Sequence, residues 1–443
     1  MTIAIPLLLV SPALWNGYPL LQYDTGGYLA RWYEGYLVPS RSTAYGIYLH
    51  LGEASHFWFN LGVQAFAVLW IVQSTLRVFG IARPSQIAAV ILGLCATTAL
   101  PVLTSLLLTD VFAGLSVLTL FLLVFHADRF SKPEKAGLFL FTAFSASTHS
   151  ATLGVLFGLC CTGLILHPFL RPRLALRDLA RGGMTIVSGA AMLLAANFAL
   201  SGELAWTPGG SGVAFGRMLQ DGHVKQYLDD HCSTEKLKLC PYRNELPKTG
   251  DGFLWGKSVF NDLGRFKGLG DEMAHIAWQS LLAYPAAQSR SAISATAQQL
   301  VSVATGEGSH NWLAHTYGIF ERYLPQEVAA LRAARQQHWE FSFTTINLVH
   351  VPVALLSMLL LAGLMIGAIW RRRLDDLALL AGTVALALLG NAFLCGVLSG
   401  PHDRYGARMV WIASLVVLIA GILYKQTSNR TGLRQAKSSD FAG

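Results

Sequence analysis

The chain has 443 residues, of which 53% are hydrophobic and 13% charged, with a mean hydropathy of +0.45. That is too apolar for a soluble globule of this length and predicts an all-α integral membrane protein with many spans. The formal charge of +8 does not imply nucleic acid, because the basic residues fall in short clusters between apolar runs and no basic groove is interleaved with aromatics.

In chain order, the first apolar run, Ile3 to Trp15, is short for a crossing of ~20 residues and draws on Tyr18 to Leu21. It lacks the basic start and small-residue cleavage site of a signal peptide. Residues 16–58 then form a first external loop, in which Tyr28, Trp32, Tyr33, Tyr36 and Tyr45 suit a segment lying in the interface. The second span, Phe59 to Phe79, returns to the side marked by Arg77 and Arg83. Residues 85–126 are broken at Pro101 and read as two spans, with Asp110 at the outer surface.

Arg129, Lys132 and Lys135 mark the cytoplasm, as do Arg171, Arg173, Arg177 and Arg181, so the apolar stretch between them, Gly137 to Leu166, is expected to cross twice. Its turn near Ser147 to Ser150 leaves His149 external or half-buried. After a span from Met184 to Leu200 comes a long polar segment, expected to be external and to carry short membrane-lying helices rather than an independent fold. Asp271 to Leu282 and Ala292 to Val303 have helical spacing, with a break at Tyr284-Pro285. Cys232 and Cys240 are external and expected to be bridged, whereas Cys95, Cys160, Cys161 and Cys395 read as packed thiols.

Three further spans follow: Thr344 to Trp370, ending at Arg371-Arg372-Arg373; Leu377 to Leu398; and Ala407 to Tyr424. Lys425, Arg430, Arg434 and Lys437 place the C-terminus in the cytoplasm with the N-terminus, for ten spans in all. The chain thus divides into an N-terminal transmembrane module (1–200), a large external region (201–341) and C-terminal spans with a basic tail (342–443).

Polar groups recur on the outer face. Asp24 follows the first apolar run in YPLLQYDTGGYL, where it either carries chemistry or caps the helix starting near Thr25. Gly26 and Gly27 allow a close backbone approach or a sharp turn. Asp110 is equally suited to a cap or a catalytic role, and His149 to an interior hydrogen bond. The turn before the last span, SGPHDRYGARMVW, carries His402, Asp403, Arg404, Tyr405 and Arg408. A carboxylate here removes a proton or holds a cation and an arginine grips phosphate, while the bland alternative is that Arg404 and Arg408 anchor a helix end or pair with Asp403.

Three stretches, QYDTGGYL, PVLTSLLLTD and PHDRYGAR, set in this architecture with its long late external loop, resemble the GT-C superfamily of integral-membrane glycosyltransferases. The resemblance implies a donor sugar carried on a polyprenyl phosphate, an acceptor that is a glycan, lipid or protein, and a bacterial-type inner membrane. It implies that Asp24 is the catalytic or acceptor-activating carboxylate, that Asp110 is the second loop carboxylate, and that Arg404 lies near the lipid phosphate. Tyr405, Arg408, His149 and His402 complete the expected substrate contacts. Many relatives carry an acidic pair in the first loop, but here Asp24 is followed by Thr25, and one carboxylate is a poor divalent-metal site, so no cofactor is assigned. A polysaccharide polymerase or ligase, and a transporter or lipid flippase, are the alternatives.

Overall fold

The computed structural model describes residues 4–439 except 172, 208, 311, 312 and 373, with side chains described as far as Ser428. Ile3, Arg373 and the side chains of Arg430, Arg434 and Lys437 lie outside the described residues. Among the described residues the protein is helical without a strand. A single parallel bridge joins Leu20 to Leu106, with Leu20 N–H donating to Ser105 O (2.9 Å) and Leu107 N–H to Leu20 O (3.0 Å). This bridge ties the segment leading to Asp24 to the one leading to Asp110.

Six helices are long and apolar enough to cross a membrane: Trp58–Val78, Ser150–Leu170, Leu176–Ser201, Phe343–Trp370, Asp376–Leu398 and Asp403–Ser428. They mark an integral membrane protein. Of the ten expected crossings, the other four are not helices of this kind. Pro84–Thr97, Asp110–Phe125 and Lys132–Thr148 have 14, 16 and 17 residues. At 1.5 Å per residue they rise only ~21 to 26 Å, short of a hydrocarbon core of ~30 Å. The opening run is two six-residue helices, Ala4–Leu9 and Ser11–Asn16. Pro12 sits in the first turn of the second, where its missing amide is tolerated but where it also ends any continuous helix from Ala4.

The core is built around Asp110–Phe125, whose residues are buried from Asp110 to Val124, and the first half of the final helix, where Trp411, Leu415 and Ile419 are fully buried. A helix apolar on all sides suits either a protein core or lipid, and Asp110–Phe125 is enclosed by protein. Both central helices present their first turns, with Asp110 and Arg404, at one end of the core.

The first loop folds as two helices, Thr25–Glu34 and Thr43–His50. Tyr28 and Tyr45 do not lie in an interface as expected. They are buried edge to face at 4.9 Å between centroids, while Trp32 and Tyr36 remain exposed. A second correction concerns the large polar segment. Residues 210–284 form a lobe with a hydrophobic core of their own, including Phe215, Tyr227, Phe253, Phe260, Met273 and Ile276. Cys232 and Cys240 are joined by a disulfide within it, with Cα atoms 5.6 Å apart. Helices Arg265–Ala283 and Pro285–Val301 meet at Tyr284, the residue that the following proline steers away from helical geometry.

Candidate functional site

Asp24 stands at the N-cap position of Thr25–Glu34, yet its side chain makes no capping hydrogen bond. Its carboxylate turns instead to two arginines. Arg404 Nη1 donates to Oδ2 at 2.6 Å, and Arg41 Nη2 pairs with Oδ1. Gln22 positions the turn by accepting from the Asp24 amide at 2.8 Å. Burial by itself would raise the Asp24 pKa. The Arg41 and Arg404 charges, and the hydrogen bonds they donate, outweigh it and hold the carboxyl below its ordinary range. Asp24 is therefore a fixed anion clamped between two guanidiniums.

The glycines after it serve packing. A Cβ on Gly26 would come within 2.6 Å of Thr316 Cα, so glycine lets helix Ala314–Tyr323 rest on this turn, where Thr316 Oγ1 accepts from Gly26 N–H at 3.1 Å. That contact takes up the backbone approach which, from sequence, was open to a ligand.

Asp110 is the first residue of its helix and caps nothing. Its Oδ2 is 3.7 Å from Arg404 Nε, and its buried Oδ1 has no hydrogen-bond partner among the described residues. Arg404 thus bridges the two loop carboxylates. It does not pair with Asp403, which accepts from Ala304 N–H at 3.1 Å. The guanidinium also lies over Tyr405 at 5.3 Å and Tyr23 at 5.8 Å. Neither arginine of the last turn is a surface anchor: Arg404 is 6% exposed and Arg408 1%. Arg408 donates to Asn391 Oδ1 through Nη2 (2.6 Å) and Nε (3.2 Å), and Asn391 in turn donates to Tyr405 O at 2.7 Å.

Glu307, from the loop after Pro285–Val301, joins the cluster although nothing in the sequence reading pointed to it. Its Oε1 is 2.6 Å from His402 Nδ1, and its Oε2 accepts from Arg404 N–H at 3.0 Å. Burial raises the Glu307 pKa, but the His402 bond and the Arg404 amide bring it below its ordinary value. The same bond raises His402 above the usual imidazole value against the effect of burial. Arg41 was also missed. The usable signals were the isolated charges in glycine- and serine-rich settings, ATGEGSHN and PSRSTAYG.

A small pocket of about 10 Å³, room for about one water molecule, adjoins this cluster. Gln22, Asp110, Thr305, Glu307, Ser309 and Arg404 provide polar walls, and Val102, Leu103, Leu106 and Ala407 an apolar one. His149 does not contact it: half-buried at the start of Ser150–Leu170, it accepts from Ala151 N–H at 3.2 Å as a helix cap. The surrounding protein and the charges of Arg408, Arg404 and Arg41 push its pKa well below the ordinary value. The disulfide lies in the separate lobe. No group of three or more His, Cys, Asp or Glu among the described residues is arranged to hold a metal ion.

Fold and cluster together define an all-helical integral membrane protein whose central helices bring Asp110 and Arg404 together beside Asp24. Comparison with known proteins finds no matching family model, no similar curated protein and no similar solved structure.

Proposed function

We propose that this protein is a membrane glycosyltransferase that moves a sugar from a polyprenyl phosphate to a glycan, lipid or protein acceptor on the external face. The observation that carries the reading is the convergence of Asp24 and Asp110 on Arg404, beside a small pocket that Asp110 and Arg404 line together with apolar side chains. A lipid-linked sugar needs these features: an apolar surface for the lipid, a cation for the phosphate and a carboxylate for the acceptor. In this reading the chain crosses ten times, the three shorter helices and the paired opening helices included, with both termini cytoplasmic and residues 201–341 outside.

The roles divide by hydrogen bonding. Both oxygens of Asp24 are occupied by arginines, so Asp24 positions Arg404 instead of taking a proton. Asp110 keeps an oxygen without a hydrogen-bond partner among the described residues and is the proton acceptor. The acceptor hydroxyl passes its proton to Asp110 and attacks the anomeric carbon. The bond from that carbon to the phosphate oxygen breaks, and the electron pair leaves on the phosphate, whose charge Arg404 stabilises. Asp110→Asn keeps the shape and removes the basicity, so transfer from a purified lipid-linked sugar should fall ~10²-fold or more with folding intact. Near-normal transfer by that variant would remove Asp110 from the mechanism and favour a polymerase or ligase reading centred on His402 and Arg404.

A further inference from the structure

Beside this cluster, an arginine and a histidine from different parts of the fold both approach Gly400. Arg217 lies on helix Gly210–Gln220 of the disulfide lobe, and Asp221 holds it from behind, with Nη2 to Oδ1 at 2.7 Å and Nε to Oδ2 at 3.1 Å. His402 precedes the final helix and is held from behind by Glu307 at 2.6 Å through Nδ1. Each carboxylate occupies one edge of its partner and directs the other outward. Arg217 Nη1 and His402 Nε2 have no hydrogen-bond partner among the described residues.

Gly400 lies close to both. Its φ is +101°, and a carbon placed at its Cβ position would lie 3.6 Å from Arg217 Nη1 and 4.0 Å from His402 Nε2. A side chain there would be strained and would fill the space between the two donors, so glycine keeps it open. The arginine side chain is 11% exposed and the histidine side chain 30%, so both are accessible in part to solvent. Glu307 favours the protonated imidazole, and Asp251 on the lobe adds to this at longer range. We infer that Arg217 Nη1 and His402 Nε2, across Gly400, form an anion subsite that takes a phosphate or carboxylate group of a substrate.

Its recognition logic is that of paired charge-assisted donors, each pre-oriented by a carboxylate at its back. Because Glu307 also accepts from the Arg404 amide, the subsite is joined to the cluster through a single side chain. Only the source of the anion rests on the glycosyltransferase reading. A lipid phosphate would make the subsite part of donor binding, and a uronate or phosphorylated sugar would place it on the acceptor.

The test is binding to the purified full-length protein in detergent, read as thermal stabilisation at constant ionic strength with dodecyl phosphate, inorganic phosphate or glucuronate against chloride. The wild type should be stabilised by at least one of the three, and Arg217→Gln and His402→Gln should each weaken that effect about tenfold in apparent affinity. Stabilisation by dodecyl phosphate or inorganic phosphate assigns a phosphate, and by glucuronate alone a carboxylate. No stabilisation by any of them, or stabilisation equal in wild type and both variants, overturns the subsite. Because no turnover is required, loss of sugar transfer in Asp110→Asn with the anion response intact would bear on the proton acceptor alone.

Discussion

Replacing Asp24 with asparagine keeps the side chain's shape and removes the charge on which two arginines converge. Arg404 and Asp24 are both 6% exposed, so the wild-type pair sits where an uncompensated ion is expensive. Removing one member of a buried pair costs roughly 3–5 kcal/mol, because the survivor stays buried without its counterion. Two features place Asp24→Asn near the lower end. The amide oxygen still accepts from one guanidinium, and Asp110, 3.7 Å from Arg404 Nε, supplies part of the lost field. The amide nitrogen, however, then faces the other guanidinium, and Arg41 has no second carboxylate in contact among the described residues. The expected loss is ~3 kcal/mol, measured by reversible unfolding in mixed detergent. A double-mutant cycle with Arg404→Gln should show strong coupling, since the second substitution removes the cation that the first one orphans. A change below ~1 kcal/mol for Asp24→Asn, or additive effects in the cycle, would refute the view that Asp24 holds the cluster together.

Two other predictions follow from the same geometry. His402 has a folded pKa raised chiefly by Glu307, so the stabilisation from its charged form is complete below the unfolded value of ~6.5 and is lost as pH rises through the folded value; Glu307, depressed, is lost as pH falls below its unfolded value of ~4.3. NMR titration of the His402 imidazole should therefore give a midpoint above ~6.5 that drops in Glu307→Gln, and an unchanged midpoint would contradict the pairing. For topology, a reporter active only outside the cytoplasm should work when fused after Gly250 and stay silent when fused after Arg373; the reverse pattern would invert the sidedness of the cluster.

Much of the helical frame was legible because lipid demands long uninterrupted apolar runs, and such runs are visible without knowledge of their neighbours. Phe343–Trp370 and Asp376–Leu398 lie within a residue or so of the spans expected from hydropathy and flanking charge. The short helices were less so, since Asp110–Phe125 is enclosed by protein, where length is set by neighbours instead of by a bilayer. The lobe's core was hidden for a related reason: Phe215, Tyr227 and Phe253 are scattered among polar residues and form a surface only after several turns bring them together. At the site, Asp24, Asp110 and Arg404 stood out as charges at the ends of apolar runs. Arg41 and Glu307 sit in polar loops, where a lone charge carries no periodicity, and their roles come from distance in space.

The ion pair that organises the cluster joins residues 380 positions apart, whereas Arg41 lies 17 positions from Asp24. At 5–20 residues per second, a ribosome needs roughly 20 to 80 s to make the intervening chain. During that interval Asp24 has Arg41 as its early partner, and Asp110, with no arginine yet beside it, waits for the last helix to be synthesised and inserted. Biogenesis therefore completes the cluster with one of its final steps. A nascent chain stalled before Arg404 contains both carboxylates but lacks the cation that bridges them in the folded protein.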